Sequence, residues 1–383
     1  MPWEESSVMD AKLKFISLLD KNCLSFTEAC REAGISRKTG YKLLARYEVQ
    51  GIEGLVEQSR APKNHPHAMS AQLVKNLLKL RETHPTWGAR KILSFLRRKN
   101  TSQTLPAISS VHKLFVREGL VVHEQSRRRY PAPKFQLVAP SVPNDLWCAD
   151  FKGWFRTEDG QRCDPFTLTD AFSRYCLACK IVSQTRFEDV KRVLEHAFRK
   201  YGLPQRLRTD NGPPFAGTGL YHLSRLGVWF LKIDVSIELI QPGKPQQNGH
   251  HERFHRTLKA ETLKPPEKNP RNQQRAFNLF QTEYNEVRPH EALGDKTPGD
   301  VYRPSPRMLP RKLKEFDYDE KYTVRRVRSD GGINFQGHLL FVSETLIGEH
   351  IGLIEEEKDG LWSIYFRALR IGAIDARRCE IVN

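Results

Sequence analysis

Leu146-Trp147-Cys148-Ala149-Asp150-Phe151 is the stretch on which the reading of this chain turns. Four apolar residues lead to a carboxylate followed by Phe151, and an acid in such company is costly to desolvate unless it is paired or binds a cation. Upstream the apolar spacing is helical; from Leu146 onward, apolar runs alternate with polar turns. Residues 146–155, 166–169 and 175–182 read as three strands, with turns at 157–160 and 170–174. Residues 187–200 have the spacing of an amphipathic helix, ended by Gly202 and Pro204. Two short strands (206–209, 235–240), a helix over 249–263 stopped by Pro265-Pro266 and a further helix over 272–287 follow. Strands first, then helix alternating with strand, specify a mixed α/β sheet with helices packed on it.

Working outward, residues 1–60 read as helices. Ser25 and Glu28 form a capping box, Gly34 breaks the chain, and Ser36 caps Arg37-Lys38-Thr39-Gly40-Tyr41-Lys42-Leu43-Leu44. Helix, glycine turn and a second helix with a basic first turn is the helix-turn-helix pattern, which makes Arg37, Lys38 and Lys42 candidate DNA contacts. A Pro/His linker at 61–68 precedes a second helical unit over 69–122. This unit is either a second DNA reader or a spacer, and the basic fragments Trp87-Gly88-Ala89-Arg90-Lys91 and Ser109-Ser110-Val111-His112-Lys113 favour the reader. Residues 123–142 form a basic linker in which Arg127, Arg128 and Arg129 are candidates to lie along a phosphate backbone. The α/β core occupies 143–304, and 318–383 alternate apolar and polar residues around Asp330-Gly331-Gly332 and Asp359-Gly360, the pattern of a small all-β barrel.

A chain of 383 residues accommodates two to four domains. Its 62 Lys and Arg outnumber 45 Asp and Glu, for a net charge of +17. Residues 1–140 carry 24 basic and 12 acidic side chains, so +12 of that charge sits there. Such a balance suits a polyanionic partner, whose condensed counterions are released on binding. Seven scattered cysteines read as reduced thiols, and Cys176-x-x-Cys179 as two core residues of a strand. Neither a signal peptide nor an apolar run long enough for a membrane helix is found, so a cytoplasmic protein with no membrane partner is expected.

Two more acids stand out beside Asp150. Asp210 ends the strand Leu207-Arg208-Thr209 and opens the turn Asn211-Gly212-Pro213, at the carboxyl end of a strand where α/β sheets bind ligands. Glu252 lies in the first turn of the helix after Asn248-Gly249, with Arg256 and Lys259 on its face. Singly they read as an ion-pair member, a turn residue and a helix-dipole partner. Together they are the hard oxygen ligands that Mg²⁺ or Mn²⁺ takes, and phosphoryl transfer through two metals needs such a set.

The motifs around these acids carry a family resemblance. Leu146-Trp147-Cys148-Ala149-Asp150 and Arg208-Thr209-Asp210-Asn211-Gly212-Pro213-Pro214-Phe215 resemble the two aspartate motifs of retroviral integrases and bacterial insertion-sequence transposases. Residues 242–253, Pro-Gly-Lys-Pro-Gln-Gln-Asn-Gly-His-His-Glu-Arg, running on to Thr257-Leu258-Lys259, resemble their glutamate motif. Residues 284–293, with Thr297-Pro298 and Tyr302, resemble the segment closing the bacterial cores. The resemblance covers about residues 143–304. It implies an RNase H-like core and DDE catalysis, with Asp150, Asp210 and Glu252 as catalytic residues and ligands of two Mg²⁺ (or Mn²⁺) ions. It also implies strand transfer by a DNA 3′-hydroxyl, with Arg256 and Lys259 on the DNA. The implied partners are double-stranded DNA, as terminal inverted repeats and target, and further copies of the chain, in a bacterial cytoplasm at the nucleoid. Two departures stand. The interval of 42 positions from Asp210 to Glu252 exceeds the retroviral one, which assigns the extra length to a loop over 217–226, and the retroviral His/Cys zinc domain is absent. The competing readings are a DNA-binding regulator of the same ancestry that has lost its chemistry, and an RNase H-type nuclease. The intact acid set disfavours the first, and the extra DNA-reading and β units disfavour the second.

Overall fold

The computed structural model describes residues 7–20, 24–57, 68–99, 104–121, 138–182, 184–217, 220–241, 245–313, 315–357 and 360–382. It divides into two compact units, residues 1–69 and 70–383. In the first, helices α1 (Val8–Asp20), α2 (Phe26–Glu32) and α3 (Arg37–Gln50) enclose Phe15, Ile16, Ala29, Cys30, Leu43 and Leu55. The Ser25/Glu28 box opens α2, and the Ser36 hydroxyl accepts from the Thr39 amide to open α3. Gly40, in the first turn of α3, is there for contact: a Cβ would stand 2.6 Å from the Cys30 Sγ where the two helices cross. Arg37, Lys38 and Lys42 are exposed.

In the second unit, α4 (Ala71–Thr83), α5 (Ala89–Lys99) and α6 (Ile108–Arg117) pack around Leu77, Trp87, Ile92, Val111 and Phe115. The Arg81 guanidinium ties them by donating to the carbonyls of Trp87 (2.6 Å) and Leu120 (2.7 Å). The α/β core follows, with strands β1 (Leu146–Phe151), β2 (Phe155–Arg156), β3 (Arg162–Asp170) and β4 (Cys176–Val182), helix α7 (Phe187–Tyr201), β5 (Arg206–Thr209), α8 (Arg225–Lys232), β6 (Ser236–Leu239), α9 (Gly249–Thr262), α10 (Pro270–Glu286) and α11 (Pro298–Val301). Along its length β3 pairs antiparallel with β1 and β4, while β5 and β6 run parallel to β1. One face of the sheet buries Trp147, Ala149, Phe166 and Leu168 against Leu194 and Phe198 of α7. The other sets Cys176 and Cys179 against Phe254, Phe277 and Phe280 of α9 and α10, where burial pushes both thiols up. This is an RNase H-like core.

Three elements differ from the sequence reading. The first strand stops at Phe151, because Gly153 takes a φ of +85°, and the third begins already at Arg162. Part of the expected loop over 217–226 leads into α8, which Ser224 caps through the Gly227 amide. The last 60 or so residues are all-β. Strands β7 (Thr323–Arg326), β8 (Gly332–Phe335), β9 (His338–Phe341), β10 (His350–Glu355), β11 (Leu361–Phe366), β12 (Leu369–Asp375) and β13 (Glu380–Val382) form an antiparallel sheet ordered β13-β12-β11-β10-β7 and a β8–β9 hairpin. Their common core takes in Leu223 and Val228 from the α8 region, so the β unit is packed on the α/β core.

Candidate active site

The C-terminal end of β1 carries Asp150, and parallel pairing sets Cys148 of β1 beside Arg208 of β5. Two positions further on each strand, Asp150 and Asp210 therefore emerge at the same sheet edge. Asp210 is held in a tight turn: its Oδ1 accepts from the Gly212 amide at 3.2 Å, and a Cβ on Gly212 would lie 3.2 Å from its Oδ2. The loop leading to α9 is fastened by Arg208, which pairs with Glu238 (2.6 Å) and donates to the Gln247 carbonyl (3.0 Å).

The third acid arrives on α9, and two histidines on the buried face of that helix seat it. The Thr167 Oγ1 of β3 lies 2.7 Å from both His251 Nε2 and His255 Nε2, and it donates to the Asp150 carbonyl at 3.0 Å. A hydroxyl has one hydrogen, so both ring Nε2 atoms must be its donors. His251 Nδ1 then accepts from the Thr169 hydroxyl at 2.9 Å, and His255 Nδ1 presents a lone pair 3.9 Å from Asp150 Oδ2. Burial holds both rings neutral, His251 down to about 3 and His255 down to about 2, the latter helped by His251 and Lys152. Sequence reasoning passed over this hub. Its signal was a His pair at i and i+4, both buried where Glu252, Arg256 and Lys259 of the same helix are exposed.

The electrostatics show that the three acids share one field. Asp150 is pushed from 3.8 up to about 7, by burial first, then by the charge of Asp210, with Glu252 adding to it against the Phe151 amide and Lys152. Among the described residues, no Lys or Arg lies within ion-pair distance of the three carboxylates. Buried without hydrogen-bond partners are Thr209 Oγ1, one residue before Asp210, and Asn248 Oδ1, at the mouth of α9. Such a concentration of uncompensated oxygen donors suits a divalent cation. Asp150, His251 and His255 also bring ligand atoms within 4.8 Å of one another. Both nitrogens of His251 are spent on threonines, however, so that group offers two donors and the carboxylates are the better set.

Of the other predicted DNA contacts, Arg37, Lys38 and Lys42 belong to the first unit, and Arg127, Arg128 and Arg129 fall outside the described residues. In the second helical unit, Arg90 pairs with Glu291 (2.7 Å) and Asp295 (3.2 Å), Arg98 with Asp300, and His84 with Glu283 (2.8 Å). Those side chains dock the helices on the core. His112 and Lys113 on α6 stay exposed.

Comparison with known proteins matches residues 140–245 and 233–298 to integrase core domains, 11–63 to a helix-turn-helix domain, 39–115 to a homeodomain-like domain, and 322–381 to the C-terminal domain of IS481 family transposases. Over these residues the chain is similar to insertion-sequence transposases and carries their type of integrase core. Among its relatives, a transposase of the IS2 insertion elements of Escherichia coli is 27% identical over 233 residues, 57% of this chain and 74% of the relative. A 31.7 kDa protein of insertion element IS407 from Burkholderia multivorans is 27% identical over 286 residues, 74% of this chain and 92% of that one. Among solved structures, a chain of the simian T-cell lymphotropic virus intasome in complex with the PP2A regulatory subunit B56 gamma is 15% identical, with a TM-score of 0.39 over 77% of this chain and 98% of that one. The matched integrase core and helix-turn-helix domains make this chain a DNA-binding polynucleotidyl transferase. No described helix is long and apolar enough to cross a membrane.

Proposed function

We propose that this transposase binds the terminal inverted repeats of its element and performs metal-dependent DNA cleavage and strand transfer at Asp150, Asp210 and Glu252. The observation that carries the reading is the raised Asp150 carboxyl, which burial and two neighbouring acids press toward neutrality at one edge of the sheet. The residue types present, Asp150 and two carboxylates whose charges act on it, fit Mg²⁺ or Mn²⁺ ions. When bound, such ions acidify the attacking hydroxyl and neutralise the leaving oxygen. The chain itself orients the site: β1 and β5 fix the aspartates, and the Thr167 hub fixes the rotation of α9 and hence Glu252. Arg256 and Lys259, one and two turns beyond Glu252, hold the DNA backbone beside the acids. Arg37, Lys38 and Lys42 contact the repeat from α3, and Arg127, Arg128 and Arg129 follow the backbone between domains.

The domain roles follow the same division, with 1–60 and 69–122 binding DNA, 123–142 linking, 143–304 catalysing and 318–383 forming the β unit. Because two ends must be joined to one target, at least two copies assemble on DNA. The test is joining of pre-cleaved end DNA in Mg²⁺, run beside an RNA–DNA hybrid. Joining of the ends with no hydrolysis of the hybrid supports the reading; hybrid hydrolysis without joining replaces it with a nuclease.

A further inference from the structure

Around α9 from the carboxylates lies a cavity of about 390 Å³, walled by α5, α9, α10 and the segment after it. Its lining is cationic: Lys91, Arg174, Arg253, Arg256 and Arg288 all face it. Most of this charge has no direct ion pair. Arg288 is paired with Glu261, but the Arg253 guanidinium rests on the Gly249 carbonyl (3.2 Å) and the His250 ring (3.1 Å), and that of Arg174 on the Ala171 carbonyl. Among the described residues, Lys91, Arg174, Arg253 and Arg256 have no carboxylate within ion-pair distance. The acid on the rim, Glu291, is taken by Arg90. The Lys91 ammonium is pulled down by burial and by Arg288, against Glu291, Glu261 and Asp295, and His290, whose ring bonds the Tyr284 backbone, is pushed down to about 3 by burial, then Arg288 and Lys91. The His290 Nε2 is itself buried without a partner.

Four cations without an ion-pair partner walling a cavity are costly to gather unless an anion completes them. We propose that the cavity seats a phosphodiester of the DNA strand engaged at the carboxylates, an assignment that rests on the proposed strand-transfer reading. Position favours DNA as the source of that phosphate. Arg253 follows Glu252 directly, about 100° round the helix, and Arg256 stands between the acid edge and the cavity mouth. A backbone crossing the carboxylates reaches the cavity within a nucleotide or two. The second helical unit then contributes Lys91 to a site shared with the core, binding backbone where its sequence suggested base reading.

The test uses the full chain in EDTA, so that metal chemistry plays no part. Acetylation of Lys91 is followed by mass spectrometry, without ligand, with a random-sequence duplex, and with inorganic phosphate at the same phosphate concentration. Protection by duplex but not by inorganic phosphate is expected. Equal labelling with and without duplex overturns the proposal, and equal protection by inorganic phosphate reassigns the cavity to a free anion. In parallel, a salt titration of duplex binding compares the wild type with the Lys91→Ala/Arg253→Ala double variant. The slope of log affinity against log salt should fall by about 0.9 for each phosphate that the variant no longer neutralises. An unchanged slope in a variant that melts normally also overturns the proposal; if the variant does not fold, Lys91 protection decides alone. Asp150→Asn should protect Lys91 as the wild type does. Loss of protection beside intact strand transfer therefore removes the cavity alone, and an active Asp150→Asn removes the carboxylate reading alone.

Discussion

Replacing Asp150 with Asn should stabilise the metal-free protein, and the gain should grow with pH. The native carboxyl holds its proton up to about 7, whereas the unfolded chain releases it near 3.8. Between those values the native state binds the extra proton, so stability falls as pH rises through the window, and the full penalty stands above about pH 7. Roughly three pH units correspond to an upper bound of about 4 kcal/mol. The side chain is 24% exposed, and solvent screening brings the expectation to about 1–3 kcal/mol. For a cooperative unit of this size that is roughly 2–12 °C of melting temperature. Asn keeps the shape of the neutral acid, so the variant escapes the penalty. The assay is thermal melting of both proteins in EDTA from about pH 5 to about pH 8, followed by Mg²⁺ addition. The variant should gain over the wild type as pH rises, and Mg²⁺ should raise the wild type alone. An Asp150→Asn protein with no advantage at about pH 8 would show that the three acids do not burden one another, and the argument for a shared site would fail.

Further outcomes are expected elsewhere. Thr167→Val leaves two buried ring N–H groups and the Asp150 carbonyl unpaired, so it should cost about 2–4 kcal/mol against about 1–2 for Thr169→Val; equal melting of the two variants would remove Thr167 from the hub. Arg37→Ala with Lys38→Ala should weaken binding to end DNA and lower the salt slope by about 0.9 for each phosphate they neutralise; an unchanged slope would turn α3 away from DNA. Light scattering under strand-transfer conditions should find two or more copies on paired ends, and an active single copy would refute that assembly.

The three acids stood out in the sequence because each sits where local chemistry has to account for it: after an apolar run near a strand end, in a strand-end turn and in an exposed first helical turn. The capping boxes and the strands of the sheet were legible for similar local reasons. Helix α8 was not, since eight residues containing Gly227 give too little periodicity to separate a helix from a loop. The true start of β3 was hidden by Arg162 and by Pro165, a poor strand residue. What Arg90 and Arg98 touch was beyond reach as well, because their acids lie about 200 residues away. The hub at Thr167 needed the register of β3 against β1 and the rotation of α9, and pairwise spacing fixes neither.

The central claim is that Asp150, Asp210 and Glu252 act together as one metal-dependent strand-transfer site. Its most direct test is the joining of pre-cleaved element ends in Mg²⁺ by Asp150→Asn, Asp210→Asn and Glu252→Gln, with end binding measured in the same preparations. Each variant should lose joining while binding ends about as well as the wild type, since a neutral amide keeps the shape but holds the cations poorly. Near-normal joining by any one of them would contradict the account and take that residue out of the site.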